Sequence, residues 1–399
     1  MCGICGQFSF SSDRRVVIED VFPMANTLVH RGPDDEGFYL DRNIGFGFRR
    51  LSIIDLEGGH QPMTNNEGSV WVIFNGEIYN FKELRKTLQD RGYRFHTNSD
   101  TEVIVHGYSE WADDVLGKLN GMFGLAIWDA TRRRLLLARD RMGIKVVYYA
   151  IEEGRLFFGS EIRAILAALP RKASVNPDAI ESFLRYRYVP APDTILDGIY
   201  KLPAGTFLTV EEGQEPTLKR WWQFAPRPFD LMPSDRRAEA DLLDLYTQAV
   251  KRHLISDVPV GLLLSGGIDS ALLLALISRT HGSLRTYSIG YGQDFDEDEL
   301  SDAARTAAHF GAPNVGIEMS LTQFEQNLES VVSALEEPVT TSSILPMYFV
   351  CQRARQDVKV ALVGQGPDEL FGGIFVIWVF GMGPTGERFR SPLGNESKQ

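Results

Sequence analysis

Leu262-Leu-Leu-Ser-Gly-Gly-Ile-Asp-Ser270 sets a glycine-rich turn between an apolar strand and the start of a helix. Successive backbone N–H groups in such a turn, with the Ser265 and Ser270 hydroxyls at the helix N-terminus, make a cradle for pyrophosphate. Asp269, in the same turn, can hold the magnesium that accompanies it. A Gly-Gly pair at a strand end is often only a turn; the full Ser-Gly-Gly-x-Asp-Ser string in this setting is more specific.

Working outward, the flanking chain alternates. Asp241 to Leu254 has helical periodicity, Val258 to Leu264 reads as a buried strand, and Ser270 to Arg279 as a helix. Strand Thr286 to Ile289, helix Asp298 to Phe310, strand Asn314 to Glu318, helices Thr322 to Leu335 and Leu345 to Gln356, and strand Val358 to Val363 follow. Strands alternating with helices imply a parallel sheet whose ligands bind at the strands' carboxyl ends. On the N-terminal side, the stretch Glu211 to Ser234 carries Pro216, Pro226, Pro228 and Pro233, which interrupt regular structure, and the domain junction is placed there. Before it, short extended runs such as Ser69 to Phe74, Met122 to Trp128 and Arg134 to Ala138 read as an antiparallel α+β domain. The expected organisation is a first domain over 1–215, a linker over 216–234 and a second domain over 235–399.

Composition fits two folded domains: 44% of the 399 residues are apolar and 24% charged. A net charge of −12 argues against a broad phosphate-tracking surface, so nucleic acid is not expected as a partner. No apolar run reaches the ~18 residues needed to cross a bilayer, and the N-terminus lacks signal-peptide regions, so neither a membrane nor export is expected and the cytoplasm is the default. Cys2, Cys5 and Cys351 are too few for a disulfide framework, which suits a reducing compartment.

Cys2 is the candidate nucleophile. Removing Met1 before a small residue would place a thiol and an α-amine on one carbon, and an amine titrating near ~8 can act as base for a thiol titrating near ~8.5 without a histidine. A cysteine at position 2 by itself carries little, but the motifs that follow change that. They are Met1-Cys-Gly-Ile4, His30-Arg-Gly-Pro-Asp34, Arg50-Leu-Ser-Ile-Ile-Asp55, Phe74-Asn-Gly-Glu-Ile-Tyr-Asn80 and Ser99-Asp-Thr-Glu102, in that order. Cys2-Gly-Ile-Cys5 is formally a C-x-x-C pair, but no second pair completes a metal site. Cys5 is either a core residue or a thiol that makes Cys2 oxidisable.

The ordered motifs resemble the class II glutamine amidotransferase domain, specifically that of the asparagine synthetase (glutamine-hydrolysing) family, over nearly the whole first domain. The resemblance implies an α+β N-terminal nucleophile (αββα) domain followed by an α/β parallel-sheet PP-loop domain of the ATP pyrophosphatase type. It implies that Arg50 binds the glutamine α-carboxylate, with Arg49 the weaker candidate, and that Asp100 receives the α-ammonium; Ile53 and Glu77 join the glutamine site. Asn75 and the Gly76 N–H would form the oxyanion hole, although Asn-Gly is also a strong hairpin signal. In the second domain the family positions for ATP are Leu264, Ser265, Gly266, Gly267, Asp269, Ser270, Ile289, Val363 and Gly364. Gln365 stands at the position that acts in β-aspartyl-AMP formation, and Asp368 joins Asp269 as a metal residue. Without the Lys-Ser/Thr ending of a P-loop, cleavage between the α and β phosphates of ATP is implied. Glutamine would release ammonia at Cys2. The ammonia would travel inside the protein to an aspartate activated by ATP and Mg2+, and a homodimer is allowed.

Three departures qualify the match. Gln365 replaces a carboxylate that could take a proton from ammonia. Val339-Thr-Thr-Ser-Ser-Ile-Leu-Pro346 lacks the arginine that many members place there for aspartate, and after Gly373 the sequence leaves the family pattern, like a truncated member. Two rival readings follow: another acceptor, such as a sugar, peptide or lactam precursor, or a non-catalytic remnant.

Overall fold

The computed structural model describes residues 1–225, 235–291, 299–341 and 343–371. Pro226, Pro228 and Pro233 of the expected junction, and the tail from Gly373 onward, lie outside the described residues. The strands, in chain order, are β1 Gly3–Ser9, β2 Asp35–Asp41, β3 Ile44–Arg50, β4 Met63–Thr64, β5 Val70–Ile78, β6 Gly121–Asp129, β7 Arg134–Arg139 and β8 Tyr148–Glu152. They continue as β9 Arg155–Gly159, β10 Ile199–Lys201, β11 Thr206–Glu211, β12 Thr217–Arg220, β13 Val260–Leu263, β14 Arg285–Gly290, β15 Asn314–Glu318 and β16 Val360–Val363. Two units form: one from 1–244, 252–258 and 324–345, the other from the rest of the described residues.

The first unit holds two antiparallel sheets, ordered β10-β8-β9-β1-β3-β2 and β12-β11-β7-β6-β5-β4. Strand side chains alternate between faces, and here both faces are covered. Ile4 and Phe8 of β1 and Ile44, Phe46 and Phe48 of β3 meet Ile73, Ala126, Trp128, Leu135 and Leu137 of the facing sheet. The outer face of the first sheet buries Cys5 against Val21, Met24 and Ala25 of helix Ile18–Asn26. The outer face of the second sheet buries Val72, Phe74, Leu125 and Ile127 against Leu84, Leu88, Val103 and Ile104 of helices Phe81–Gln89 and Glu102–Trp111. Helix, sheet, sheet and helix therefore stack as the αββα arrangement that the motifs implied. Each fully buried side chain adds roughly 1.5–3 kcal/mol of transfer free energy, so the two-sided burial of β7 and β9 makes them central to stability.

One segment of the expected linker is ordered differently. Residues Thr217–Arg220 form β12, paired with β11 from Thr206↔Arg220 to Thr209↔Thr217. Gly213, at φ 74°, makes the turn that returns the chain. All four residues of β12 are exposed. An exposed edge strand has no buried face, so it shows no alternation by which a sequence could announce it.

The second unit carries a four-stranded parallel sheet, order β15-β14-β13-β16. From β13 the chain first lays strands to one side and then places β16 on the other. The reversal falls between β13 and β16, and a crevice opens at the strand ends where order reverses. Leu263 pairs with Val363, so the turn after β13 and Gly364 lie side by side at that point. Tyr287, fully buried, packs with Val350 and Ala354 of helix Ile344–Ala354 beneath the sheet.

Candidate functional site

Cys2 immediately precedes β1, which pairs with β3 and β9 and is thereby fixed at the middle of its sheet. Its Sγ accepts the Leu51 N–H at 3.4 Å, and its carbonyl accepts Arg31 Nε at 3.0 Å. Arg31 is itself held by Glu161 at 2.8 Å. Burial pushes the Cys2 thiol up, against the downward pull of the Leu51 contact and of the N-terminal charge. A thiol in that state needs an adjacent base to ionise at neutral pH. Cys5 points to the opposite face, with Sγ 3.5 Å from the Gly47 carbonyl, fully buried and pushed far up by burial. Three residues of extended chain separate the two Cα atoms by roughly 10 Å, beyond the ~7 Å a disulfide spans. Of the two readings of Cys5, the structure selects the core residue.

Two loops form the surroundings of Cys2. The buried Arg50 guanidinium, at the end of β3, donates to the carbonyls of Leu56 at 2.9 Å, Ile54 at 3.2 Å and Asp55 at 2.6 Å, and so orders the loop carrying Leu51 and Ile53. Ser52 N–H donates to Asp34 at 2.8 Å, and the Ile53 carbonyl accepts the Asp257 N–H at 2.9 Å. Asp55 Oδ2 accepts the Asn98 N–H at 2.6 Å, which ties this loop to the one bearing Asp100. Arg49 is turned away, paired with Glu36 at 2.6 Å.

Asn75 and Gly76 sit inside β5, opposite Gly124 and Phe123, so the hairpin alternative does not hold. A Cβ on Gly76 would lie 2.1 Å from the Met122 carbonyl; only glycine permits this approach of β5 to β6. Asn75 is 2% exposed. Glu77, half-buried, and Asp100, buried, are two carboxylates within electrostatic reach of each other. Burial drives both upward, and their mutual repulsion adds to it for Glu77, while the Ile78 N–H at 2.9 Å works against it for Asp100. A pair of this kind gains most from a cation placed between them, and the α-ammonium of an amino acid is such a cation.

Several residues that sequence reasoning did not assign support the site. Gln61 joins β5 to the Asp100 loop through Phe74 N–H at 2.7 Å and Thr101 Oγ1 at 3.2 Å. Glu102 accepts the N–H groups of His96 and Thr97, each at 2.8 Å, and the Thr97 hydroxyl at 2.6 Å. Burial alone would raise its carboxyl, but the contacts with His106, Thr97 and His96 outweigh it and hold it down to about 2. Glu102 thus pins the loop that presents Asp100. Glu102→Gln should destabilise the domain by about 1.5–3 kcal/mol at pH 7 and raise KM for glutamine. Because the folded carboxyl lies below its ordinary 4.5, the stabilisation is full above that value and is lost as pH falls toward 2. Parallel urea titrations of parent and variant should therefore converge at low pH.

In the second unit the turn after β13 is closed by its own serines. Ser265 and Ser270 hydroxyls lie 2.9 Å apart, Ser265 N–H donates to Ser270 Oγ at 3.2 Å, and Gly267 N–H to Ser265 Oγ at 3.2 Å. Gly266 N–H donates to the Glu299 carboxylate at 2.8 Å, so an anionic oxygen already sits on this backbone. Leu264 N–H donates to the Tyr287 carbonyl at 2.8 Å, which fixes the turn to β14. Ile289 packs into the sheet core, and Val363 is 40% exposed at the end of β16. Gly364 approaches the backbone of Ser270 closely, whereas Gln365 is exposed beyond it. Asp269 and Asp368 each lie in the first turn of a helix, Ile268–Thr280 and Pro367–Phe371. Among the described residues no three carboxylate, histidine or cysteine groups converge as a metal site.

The glutamine amidotransferase domain family matches residues 1–222, and the asparagine synthase family matches residues 241–377. Asparagine synthetase [glutamine-hydrolyzing] 1 of Bacillus subtilis (strain 168) is 36% identical over 378 residues, covering 94% of this chain and 59% of that protein. Asparagine synthetase [glutamine-hydrolyzing] 3 of the same organism is 34% identical over 391 residues, covering 94% and 63%. A putative asparagine synthetase [glutamine-hydrolyzing] 2 of Methanocaldococcus jannaschii is 32% identical over 396 residues, covering 94% and 75%. The chain thus spans 59% of the first of these relatives and 63% of the second. On these matches, and on the two folds that underlie them, the chain belongs to the glutamine-hydrolysing asparagine synthetase family.

Proposed function

We propose that the chain hydrolyses glutamine at Cys2 and uses ATP to activate a carboxylate, with aspartate as the acceptor, for amidation by the released ammonia. The observation that carries the reading is the Cys2 setting: a half-buried cysteine whose thiol accepts the Leu51 N–H, within electrostatic reach of the Glu77 carboxylate, which Asp100 in turn repels. With Met1 removed, the α-amine takes the thiol proton and Cys2 Sγ attacks the glutamine amide carbon. Asn75 and the Gly76 N–H stabilise the oxyanion. The protonated amine then gives its proton to the departing ammonia, and water hydrolyses the thioester to glutamate.

In the second unit, the N–H groups of the turn from Ser265 to Ser270 receive the phosphates of ATP; that Gly266 already binds a carboxylate oxygen supports an anion there. Leu264, Ile289, Val363 and Gly364 border the nucleotide. The acceptor carboxylate displaces pyrophosphate to give an acyl-adenylate, and ammonia displaces AMP. Mg2+ usually binds through one or two carboxylates plus phosphate oxygens, so Asp269, with Asp368 as second candidate, suffices to hold it once ATP is bound.

Gln365 favours a second reading, in which the acceptor differs or the amide-forming step is weak. Proton transfer by a positioned group is worth roughly 100-fold to 10,000-fold, and an amide cannot supply it. The test supplies glutamine, ATP, magnesium and aspartate and follows glutamate, pyrophosphate and asparagine separately. Glutamate in excess of asparagine is expected. Absence of aspartate-dependent pyrophosphate would remove aspartate as acceptor, and absence of glutamate would end the glutaminase assignment.

A further inference from the structure

The loop that follows β7 is built around one carboxylate. Asp140 accepts the N–H groups of Phe123 at 3.1 Å, Met142 at 3.1 Å, Ile144 at 3.0 Å and Lys145 at 2.9 Å. Its own N–H and carbonyl are used as well, by Phe123 and by Gly143 and Gly205. Four donors on one carboxylate leave the backbone of this loop little freedom, and the residue it delivers is Lys145, 7% exposed. The Lys145 ammonium donates to Met1 Sδ at 2.6 Å and, among the described residues, forms no ion pair within 4 Å. A nearly buried ammonium whose hydrogen bond runs to a thioether that the proposed removal of Met1 would take away is an unusual expense for a fold, since an unpaired buried charge is strongly disfavoured.

We propose that Lys145 is a positioning residue of the Cys2 site: once Met1 is removed, its ammonium faces the new α-amine and thiol of Cys2, holding the amine in its uncharged, proton-accepting form and favouring the thiolate. This rests on the glutaminase reading of Cys2. A cation repels a second cation and attracts an anion, so one group keeps the amine free of a proton before the transfer and stabilises the thiolate that the transfer leaves. The other charged groups facing it are Arg31, Glu77, Asp140 and Cys2 itself. Arg31 is neutralised by Glu161 at 2.8 Å, and Glu77 is kept toward its protonated form by burial and Asp100. Arg50 also acts on Cys2, with its guanidinium held on the carbonyls of Ile54, Asp55 and Leu56; of the two cations that act on the N-terminal amine, Arg31 and Lys145, Lys145 is the one without a close carboxylate.

The N-terminus with Met1 in place shows the same influence. Burial, chiefly, brings its amine down to about 6, with Arg31 and Lys145 adding to the effect and Cys2 and Glu77 opposing it. Burial also brings Lys145 down to about 8. Its charge is accordingly present below pH ~8, where the amine must be kept free, and is lost above it.

The experiment uses the full chain with Met1 removal verified by mass, as parent, Lys145→Met and Lys145→Arg. Two pH profiles are recorded: kcat/KM for glutamine hydrolysis, and the rate of Cys2 alkylation by iodoacetamide. In Lys145→Met the acidic limb of both should move up by about one pH unit, with roughly tenfold loss at pH 6.5 largely recovered at pH 8.5. Lys145→Arg should keep the parent profile. Profiles that do not shift overturn the proposal, whatever the absolute rate, as does a higher KM that is the same at every pH. If Lys145→Met does not fold, Lys145→Gln replaces it in both measurements. A parent chain that hydrolyses no glutamine counts against the glutaminase reading, while the alkylation profiles still decide the role of Lys145.

Discussion

Replacing Cys2 with alanine should abolish glutamine hydrolysis while leaving any ammonia-driven, ATP-dependent activity in place. The thiol is the only group in its site that can form the thioester, and loss of the nucleophile in a covalent mechanism costs up to about 10^6 in kcat. Cys2 packs at the margin of the inter-sheet core and its thiol makes only weak sulfur contacts with the Leu51 backbone, at 3.4 and 3.7 Å, so the variant should stay close to the parent's thermal midpoint. Blocking Met1 removal should have the same effect on glutamine as the substitution, because the base would then be locked in an amide. A Cys2→Ala chain that hydrolysed glutamine at the parent rate would dispose of the N-terminal nucleophile altogether.

Asp100→Ala should weaken glutamine use nearly as far, and free ammonia should bypass the defect. Asp100 is 5% exposed and accepts the Ile78 N–H at 2.9 Å, so it orders the end of β5, and in the proposed site it would also present charge to the glutamine ammonium. Losing one partner of a buried charged contact costs about 2–5 kcal/mol, or roughly 30-fold to several thousand-fold in kcat/KM. Removal also relieves Glu77 of a repelling neighbour, so the remaining carboxyl should ionise at lower pH than in the parent. Glutamine titrations of kcat/KM across pH 5 to 8 would read both effects; an unchanged kcat/KM would remove Asp100 from the substrate contacts.

Sequence and structure agree most closely where local pattern and tertiary burial point the same way. Asn314–Glu318 was legible to the residue because Val315 and Ile317 alternate toward the sheet core, and the strands around Phe74, Trp128 and Leu136 within a few positions because they are apolar runs buried on both faces. The strand-turn-helix at Ser265 was legible because its chemistry is local. β12 was not, being exposed throughout, and neither was the work of Arg50 on three loop carbonyls, which depends on a loop folding back over it. Asn75-Gly76 carried two meanings in sequence, and only the pairing with Phe123 and Gly124 separates them. Lys145 and Asp140 gave no signal, since nothing in Asp140-Arg-Met-Gly-Ile-Lys145 indicates that it ends beside the N-terminus, 144 positions away in the chain.

The opposite orientations of Cys2 and Cys5 bear on how the protein would meet oxidants. Many reactive cysteines are protected by a nearby resolving thiol, which converts a sulfenic acid to a reducible disulfide before further oxygen is added. Cys5 lies under helix Ile18–Asn26, on the far side of β1 from Cys2, and cannot serve. A peroxide-oxidised Cys2 would depend on thiols from solution for its recovery, and without them would pass to the sulfinic acid, from which a nucleophile does not return.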